Sequence, residues 1–280
     1  MAMSLRIIEW EQFISPHFKK LPPSAMTIGI FDGIHRGHRA LISRVVIERK
    51  IPTVVTFRQN PKKLLEDHKY PGDIFSLDQK LEGFMNLGIE QVILIDFSEN
   101  FSKMKGQEFI SLLVDKGNLR FLAIGSNFRC GYGLDTGAAL IKSVNEAKGI
   151  PTEIIPPVQD DDGLISSSRI RMAIVRGNIP LAAELLGRNF ELDVSPCNDD
   201  GKKLIFDVSG RLLPPPGTYR VRLNKKMING QDEGIWEGDI VLKTGQICIP
   251  LHRDYPSGNI KDLCIAEKMK IEFLSGPSGP

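Results

Sequence analysis

"TIGIFDGIHRGHRALI", residues 27–42, joins an apolar stretch to a glycine-containing turn and then to a helix-period pattern. The apolar run predicts a strand over Met26–Ile30. Leu41, Ile42, Val45 and Val46 then fall on one side of a helix predicted over His38–Lys50. Strand, glycine turn and helix start make an anion site, because the first helical N–H groups lack partners and the helix dipole favours negative charge there. Gly33 and Gly37 let backbone approach a ligand with no Cβ in the way. His35 and His38 can aim ring N–H donors at phosphate oxygens. The dipole opposes a positive charge on His38, which is therefore expected to act as a neutral donor. As zinc ligands the two histidines lack an HExxH pattern and a third ligand nearby in sequence. Two purely structural histidines would leave the flanking glycines unexplained. Neither GxxxxGK[ST] nor GxGxxG occurs at this turn.

The same alternation continues outward. Further strands are predicted over Thr53–Phe57, Gln91–Phe97, Phe121–Gly125 and Thr152–Ile155. Helices are predicted over Ser76–Leu87, Gly106–Lys116 and Thr136–Lys148. Ser76 with Gln79 reads as a capping box, and Gly149 as the residue that ends a helix. Nearly continuous apolar strands alternating with helices argue an α/β domain, a doubly wound parallel sheet. Two short helices follow, Arg169–Arg176 and one opening at Pro180. Beyond Asn189 the chain turns to strand-like pieces between Gly, Pro, Asn and Asp turns, a smaller β-rich domain. The expected division is 1–187 and 188–280.

Composition bounds the rest. Of 280 residues 41% are hydrophobic and 25% charged, ordinary for a globular protein. A net charge of +2 lacks the electrostatic footprint of a nucleic-acid binder. No stretch approaches the roughly 20 apolar residues of a membrane span, and the first residues read as no signal peptide. Cys130, Cys197, Cys248 and Cys264 show neither CxxC nor metal-ligand spacing and read as free thiols. The expectation is a cytoplasmic protein with no nucleic-acid and no membrane partner, its oligomeric state left open.

Three more segments carry polar residues suited to anions. "IGSNFRCGYGLDTG", residues 124–137, follows a predicted strand and offers Asn127 and the planar cation Arg129 on a glycine-rich loop. "LISSSRIRMAI", residues 164–174, sets Ser166, Ser167 and Ser168 before a helix, where at least one is a cap. Arg169 and Arg171 beside that helix start are costly unless an anion arrives. In "VVTFRQNPKKLL", residues 54–65, the Asn60-Pro61 pair by itself says only turn.

In this order the four segments resemble the adenylyltransferase half of the bacterial bifunctional riboflavin kinase/FMN adenylyltransferases, the prokaryotic FAD synthetases. The family's Gly-x-Phe-Asp-Gly-x-His-x-Gly-His run matches Gly29 to His38, and its Thr-Phe-x-x-(His or Asn)-Pro run matches Thr56 to Pro61. Its Gly-x-(Asp or Asn)-Phe-x-Phe-Gly run matches Gly125 to Gly131, with Cys130 replacing the second Phe. Its Ile-Ser-Ser-x-x-Ile-Arg run matches Ile165 to Arg171. The resemblance implies a Rossmann-like HxGH nucleotidyltransferase that moves AMP from ATP to FMN, with Mg2+ accompanying ATP and FAD as product. It implies His35, His38 and Arg169 as catalytic. ATP would be bound by Gly29, Phe31, Gly37, His38, Ser167, Ser168, Arg169 and Arg171. Asp32, Asn60, Asn127 and Arg129 would bind FMN or position phosphate and magnesium.

The second domain matches less well. "LLPPPGTYRVRL" and "KMKIEFL" resemble strands of the family's riboflavin kinase barrel, but the kinase Pro-Thr-Ala-Asn run is absent. The expectation is a reduced barrel-like domain without kinase activity. Two alternatives stay open: the same transfer to another small acceptor, since a fold does not choose its acceptor, and a silent flavin- or nucleotide-binding protein.

Overall fold

The computed structural model describes residues 4–65, 70–199, 203–208, 211–226, 232–250 and 269–277. The chain folds as two units, Met1–Tyr70 with Leu77–Ile165, and Pro71–Ser76 with Ser166–Pro280. This grouping differs from a division at 187/188 in where residues 71–76 and 166–187 fall.

The first unit opens with β1 (Arg6–Glu9), α1 (Trp10–Ile14), β2 (Ser24–Ile28), α2 (Arg36–Val46), β3 (Ile51–Phe57) and α3 (Pro61–Leu65). It continues with α4 (Leu77–Asn86), β4 (Gln91–Ile95), α5 (Glu99–Lys103), α6 (Gly106–Asp115) and β5 (Leu119–Gly125). A small hairpin of β6 (Arg129–Cys130) and β7 (Thr136–Gly137) leads to α7 (Ala138–Ala147) and β8 (Thr152–Ile155). A second hairpin, β9 (Gln159–Asp160) and β10 (Gly163–Leu164), closes the unit.

Six strands form one parallel sheet in the order β1-β4-β3-β2-β5-β8. Every residue of β2 and of β4 is buried, as expected for strands covered on both faces. The five strands expected from apolar runs are present within two residues. β1 adds a sixth that the sequence reading did not contain. It is an edge strand with Arg6 and Glu9 at its ends and Ile7 exposed, so it carries little apolar signal. Trp10 and Phe13 of α1 join Phe101 and Phe109 in an aromatic cluster on the core.

The second unit holds α8 (Ser167–Val175) and α9 (Ile179–Leu186), which pack together. Asn178 caps α9, accepting the Leu181 N–H at 3.1 Å, and Gly187 ends it at φ 73°. Next come β11 (Phe190–Val194), β12 (Pro196–Asp199), β13 (Lys203–Asp207), β14 (Gly217–Lys226), β15 (Asp232–Lys243), β16 (Gln246–Pro250) and β17 (Met269–Phe273). These form a curled antiparallel half-barrel in the order β11-β17-β14-β15-β16-β13-β12. Its core alternates along the strands, with Phe190, Leu192 and Val194 facing inward beside Val221, Leu223, Ile271 and Phe273. The fold class is thus the expected one, a parallel α/β sheet with a smaller β-rich unit.

Among the described residues no helix is long and apolar enough to cross a membrane. Cys130 and Cys248 are free thiols. Cys264 lies outside the described residues, as does the side chain of Cys197.

Candidate active site

The sheet order places a topological switch at β2. From β2 the chain moves to β3 and β4 on one side and later returns to β5 and β8 on the other. Ligands of open α/β sheets bind beyond the carboxyl ends of the strands at such a point. The two loops that leave there are Gly29–His35 after β2 and the glycine-rich loop after β5. Two segments far apart in sequence thereby leave the same end of the sheet from adjacent strands.

The loop after β2 is strained. Phe31 and Ile34 sit at φ 54° and 39°, and Gly33 at 78°. Left-handed backbone is natural for Gly33, but for a bulky or β-branched residue it costs of order 1–3 kcal/mol and concentrates at functional sites. Packing enforces it. Both side chains are buried, and the Phe31 ring stands edge-on to Phe84 of α4 at 5.5 Å and to His38 at 5.2 Å. A Cβ on Gly29 would come within 3.1 Å of that ring. The Thr56 hydroxyl ties the loop to β3 by donating to Ile30 O at 3.1 Å.

The histidines are not arranged as a helix beginning at His38 would have them. α2 begins at Arg36, and His35 is its N-cap, with Nδ1 accepting the His38 N–H at 3.4 Å. An Nδ1 that accepts must carry no proton, so His35 presents its proton on Nε2. The two rings stack, with centroids 3.6 Å apart and planes at 21°. His35 is buried, and a Cβ at Gly37 would press on its ring at 3.2 Å. A side chain at Gly37 would have to displace the His35 ring. The Arg36 and Gly37 N–H groups, like those of any helix start, have no partner within the helix.

The other residues proposed from sequence divide into two groups. Asn127 and Arg129 lie exposed on the loop after β5, and Arg129 Nε donates to Leu134 O at 3.0 Å. Gly131 turns that loop at φ 86°, where a Cβ would strike Gly106 N and Asp135. The Cys130 thiol is pushed up to about 12, first by burial and then by Asp135, so it is no nucleophile near neutral pH. Asn60 is buried: its Oδ1 accepts the Lys62 N–H at 3.1 Å and its Nδ2 donates to Tyr70 Oη at 2.8 Å. It holds the start of α3. Asp32 is buried at the tip of the strained loop.

In the second unit Ser166 caps α8, accepting the Arg169 N–H at 3.3 Å. The cap among the three serines is therefore Ser166, and Ser167 and Ser168 belong to the first turn. Arg171 is 7% exposed and its Nε donates to Gly72 O at 3.0 Å. That bond ties α8 to residues 71–76. Arg169 lies two residues nearer the helix start. In the first unit Phe84, Thr56 and the His35 cap complete the local architecture. Sequence marked His35 as a phosphate donor and Thr56 as the start of a matched run, and gave no sign of Phe84.

Among the described residues no group of three His, Cys, Asp or Glu side chains could hold a metal. Magnesium is commonly bound through substrate phosphates, waters and one or two carboxylates. A single buried Asp32 near phosphate donors fits a magnesium that arrives with a polyphosphate, not a protein-built cage.

The first unit is thus a parallel α/β sheet with a histidine-capped helix at its switch point, the nucleotidyltransferase-like class of fold. The chain belongs to the FAD synthetase family, which matches residues 17–169. It is 31% identical over 210 residues to the bifunctional riboflavin kinase/FMN adenylyltransferase of Escherichia coli K12, covering 71% of this chain and 67% of that one. It is 26% identical over 201 residues to a FAD synthetase of Listeria monocytogenes, covering 70% of this chain and 80% of the relative. The crystal structure of a macrolide-efflux protein from Streptococcus pneumoniae shares the fold, with a TM-score of 0.76 at 22% identity over 99% of this chain and 92% of that one. Family membership makes this chain a nucleotidyltransferase.

Proposed function

We propose that the chain is a FAD synthetase that transfers AMP from ATP to FMN and does not phosphorylate riboflavin. The carrying observation is the His35–His38 pair on the N-terminus of α2, at the switch point and inside the matched residues 17–169. An FMN phosphate oxygen attacks the α-phosphorus of ATP; the bond to the β-phosphate bridging oxygen breaks, and pyrophosphate leaves with that electron pair. Such a transfer needs positioning and charge neutralisation more than covalent catalysis. His35 Nε2–H, a His38 ring N–H and the free helical N–H groups donate to the phosphates as charge moves to the leaving group. Magnesium, when bound with ATP, screens the triphosphate. Phe31, Gly29 and Gly37 shape the cradle, and Asn127 and Arg129 are assigned to the flavin nucleotide. Ser167, Ser168 and Arg169 are assigned to ATP, Arg171 keeps their helix in place, and Asn60 positions α3.

Absence of the kinase is supported by the missing Pro-Thr-Ala-Asn run. The free thiols of Cys130 and Cys248 fit a reducing compartment and support the cytoplasm as the site of action. The test incubates the purified chain with ATP, magnesium and either FMN or riboflavin, and separates the flavins by chromatography. FAD and pyrophosphate from FMN, with nothing from riboflavin, is the expected result. FMN or FAD from riboflavin would overturn the kinase assignment, and no product from FMN would overturn the transferase.

A further inference from the structure

Arg39 is the fourth residue of α2, one position beyond His38 and four beyond the His35 cap. Its backbone N–H closes the first helical turn on His35 O at 3.0 Å. Its side chain differs from the other arginines of the first unit that lie against the sheet or the loops. Arg44 is bonded to Glu153, Arg58 to Glu9 and Asp96, and Arg129 to Leu134 O. The Arg39 Nε is buried and has no hydrogen-bond partner. A guanidinium cannot escape this by giving up its proton, and a buried N–H without an acceptor opposes folding. Such a group persists when something outside the chain supplies the acceptor.

The helix indicates which acceptor. Residues four apart share a face, so position 39 stands above position 35. Helical side chains lean toward the N-terminus, which carries a long side chain at 39 back over the first turn. That turn is where the helix dipole, the unpaired N–H groups and the His35–His38 stack favour an anion. We propose that Arg39 is a further substrate-binding residue, its Nε–H held for a phosphate oxygen of the polyphosphate that the α2 N-terminus receives. The inference rests on the nucleotidyl-transfer reading and adds to it a cation outside the Gly29–His38 run. A planar guanidinium directs its donors where an ammonium gives only a point charge, so lysine is a partial substitute.

The test compares wild type with Arg39→Met and Arg39→Lys in three readouts: melting temperature without ligand, affinity for ATP and for inorganic pyrophosphate by calorimetry, and KM for ATP and FMN. Arg39→Met is expected to melt at or above the wild-type temperature, because it removes a buried donor that nothing in the chain satisfies. It is expected to bind ATP and pyrophosphate at least tenfold more weakly and to raise KM for ATP, with KM for FMN unchanged. Arg39→Lys should fall between. A structural arginine would behave oppositely: both variants would melt lower while keeping wild-type affinity for ATP and pyrophosphate, and that result overturns the inference. If wild type makes FAD and Arg39→Met matches it in KM for ATP, this inference fails and the transferase reading stands. If wild type makes no FAD but binds pyrophosphate in an Arg39-dependent way, the transferase reading fails and the anion site stands. If wild type binds neither ATP nor pyrophosphate, both fail.

Discussion

His38 of α2 and Phe31 of the loop before it show how much two neighbouring side chains do. In the proposed reaction His38 donates where charge develops, and removal of one such donor costs about 2.7–4 kcal/mol of transition-state stabilisation. His38→Ala is therefore expected to lower kcat by roughly 10²–10³-fold while the circular dichroism spectrum and melting temperature stay near wild type. Phe31 works differently, because its buried ring fixes His38 and supports a left-handed backbone. Phe31→Ala is expected to cost about 3–5 kcal/mol of stability, as large-to-small changes of buried aromatics do, and to abolish transfer as well. Urea unfolding curves of the two variants should separate chemistry from architecture. The HxGH run was legible as a candidate anion site from residue types alone. The strain at Phe31 and Ile34 was not, since no sequence pattern marks a bulky residue forced to positive φ by its neighbours.

Helices α2 and α8 each begin with a side-chain cap, and their early arginines have different employment. In α8, Arg171 is buried and bonded to Gly72 O, whereas Arg169 sits at the first turn with its N–H on the Ser166 cap. Arg171→Met is expected to lower the melting temperature by several degrees. Arg169→Met is expected to raise KM for ATP at least tenfold, as read by a steady-state assay on each variant. Spacing alone made the two arginines equivalent; burial distinguishes them. On α2, Arg44 clasps Glu153 of β8 through two bonds, Nε to Oε2 at 2.7 Å and a second to Oε1. The hydrogen bond from Arg44 holds the Glu153 carboxyl below the usual carboxylate value of 4.5, against the opposing effect of burial. A depressed folded pKa means stability that is present above pH 4.5 and lost as pH falls through the folded value. Glu153→Gln is therefore expected to flatten the acid limb of melting temperature against pH below about 4.5, with little change near neutrality because both partners are partly exposed.

For the chain as a whole, alternating apolar runs and helix patterns, a glycine turn ending in two histidines, and a change to turn-separated strands after residue 189 were enough to determine a parallel α/β unit and a β-rich unit, and to mark one helix start as a candidate anion site. They were enough because burial on both faces, turn chemistry and helix N-termini are local demands that each residue meets or fails on its own. Other features belong to the tertiary structure alone. The edge strand β1 is defined by pairing with β4, more than eighty residues later. The switch point exists only because β5 lies beside β2, which brings the loops of residues 29–35 and 125–137 to one end of the sheet. The capping Nδ1 of His35, the working place of Asn60, the tie made by Arg171 and the buried, unpartnered Nε of Arg39 likewise depend on what lies across space from each side chain. Local sequence encodes what a residue can donate or bury, and only the folded chain decides which groups are already satisfied and which are left for a ligand.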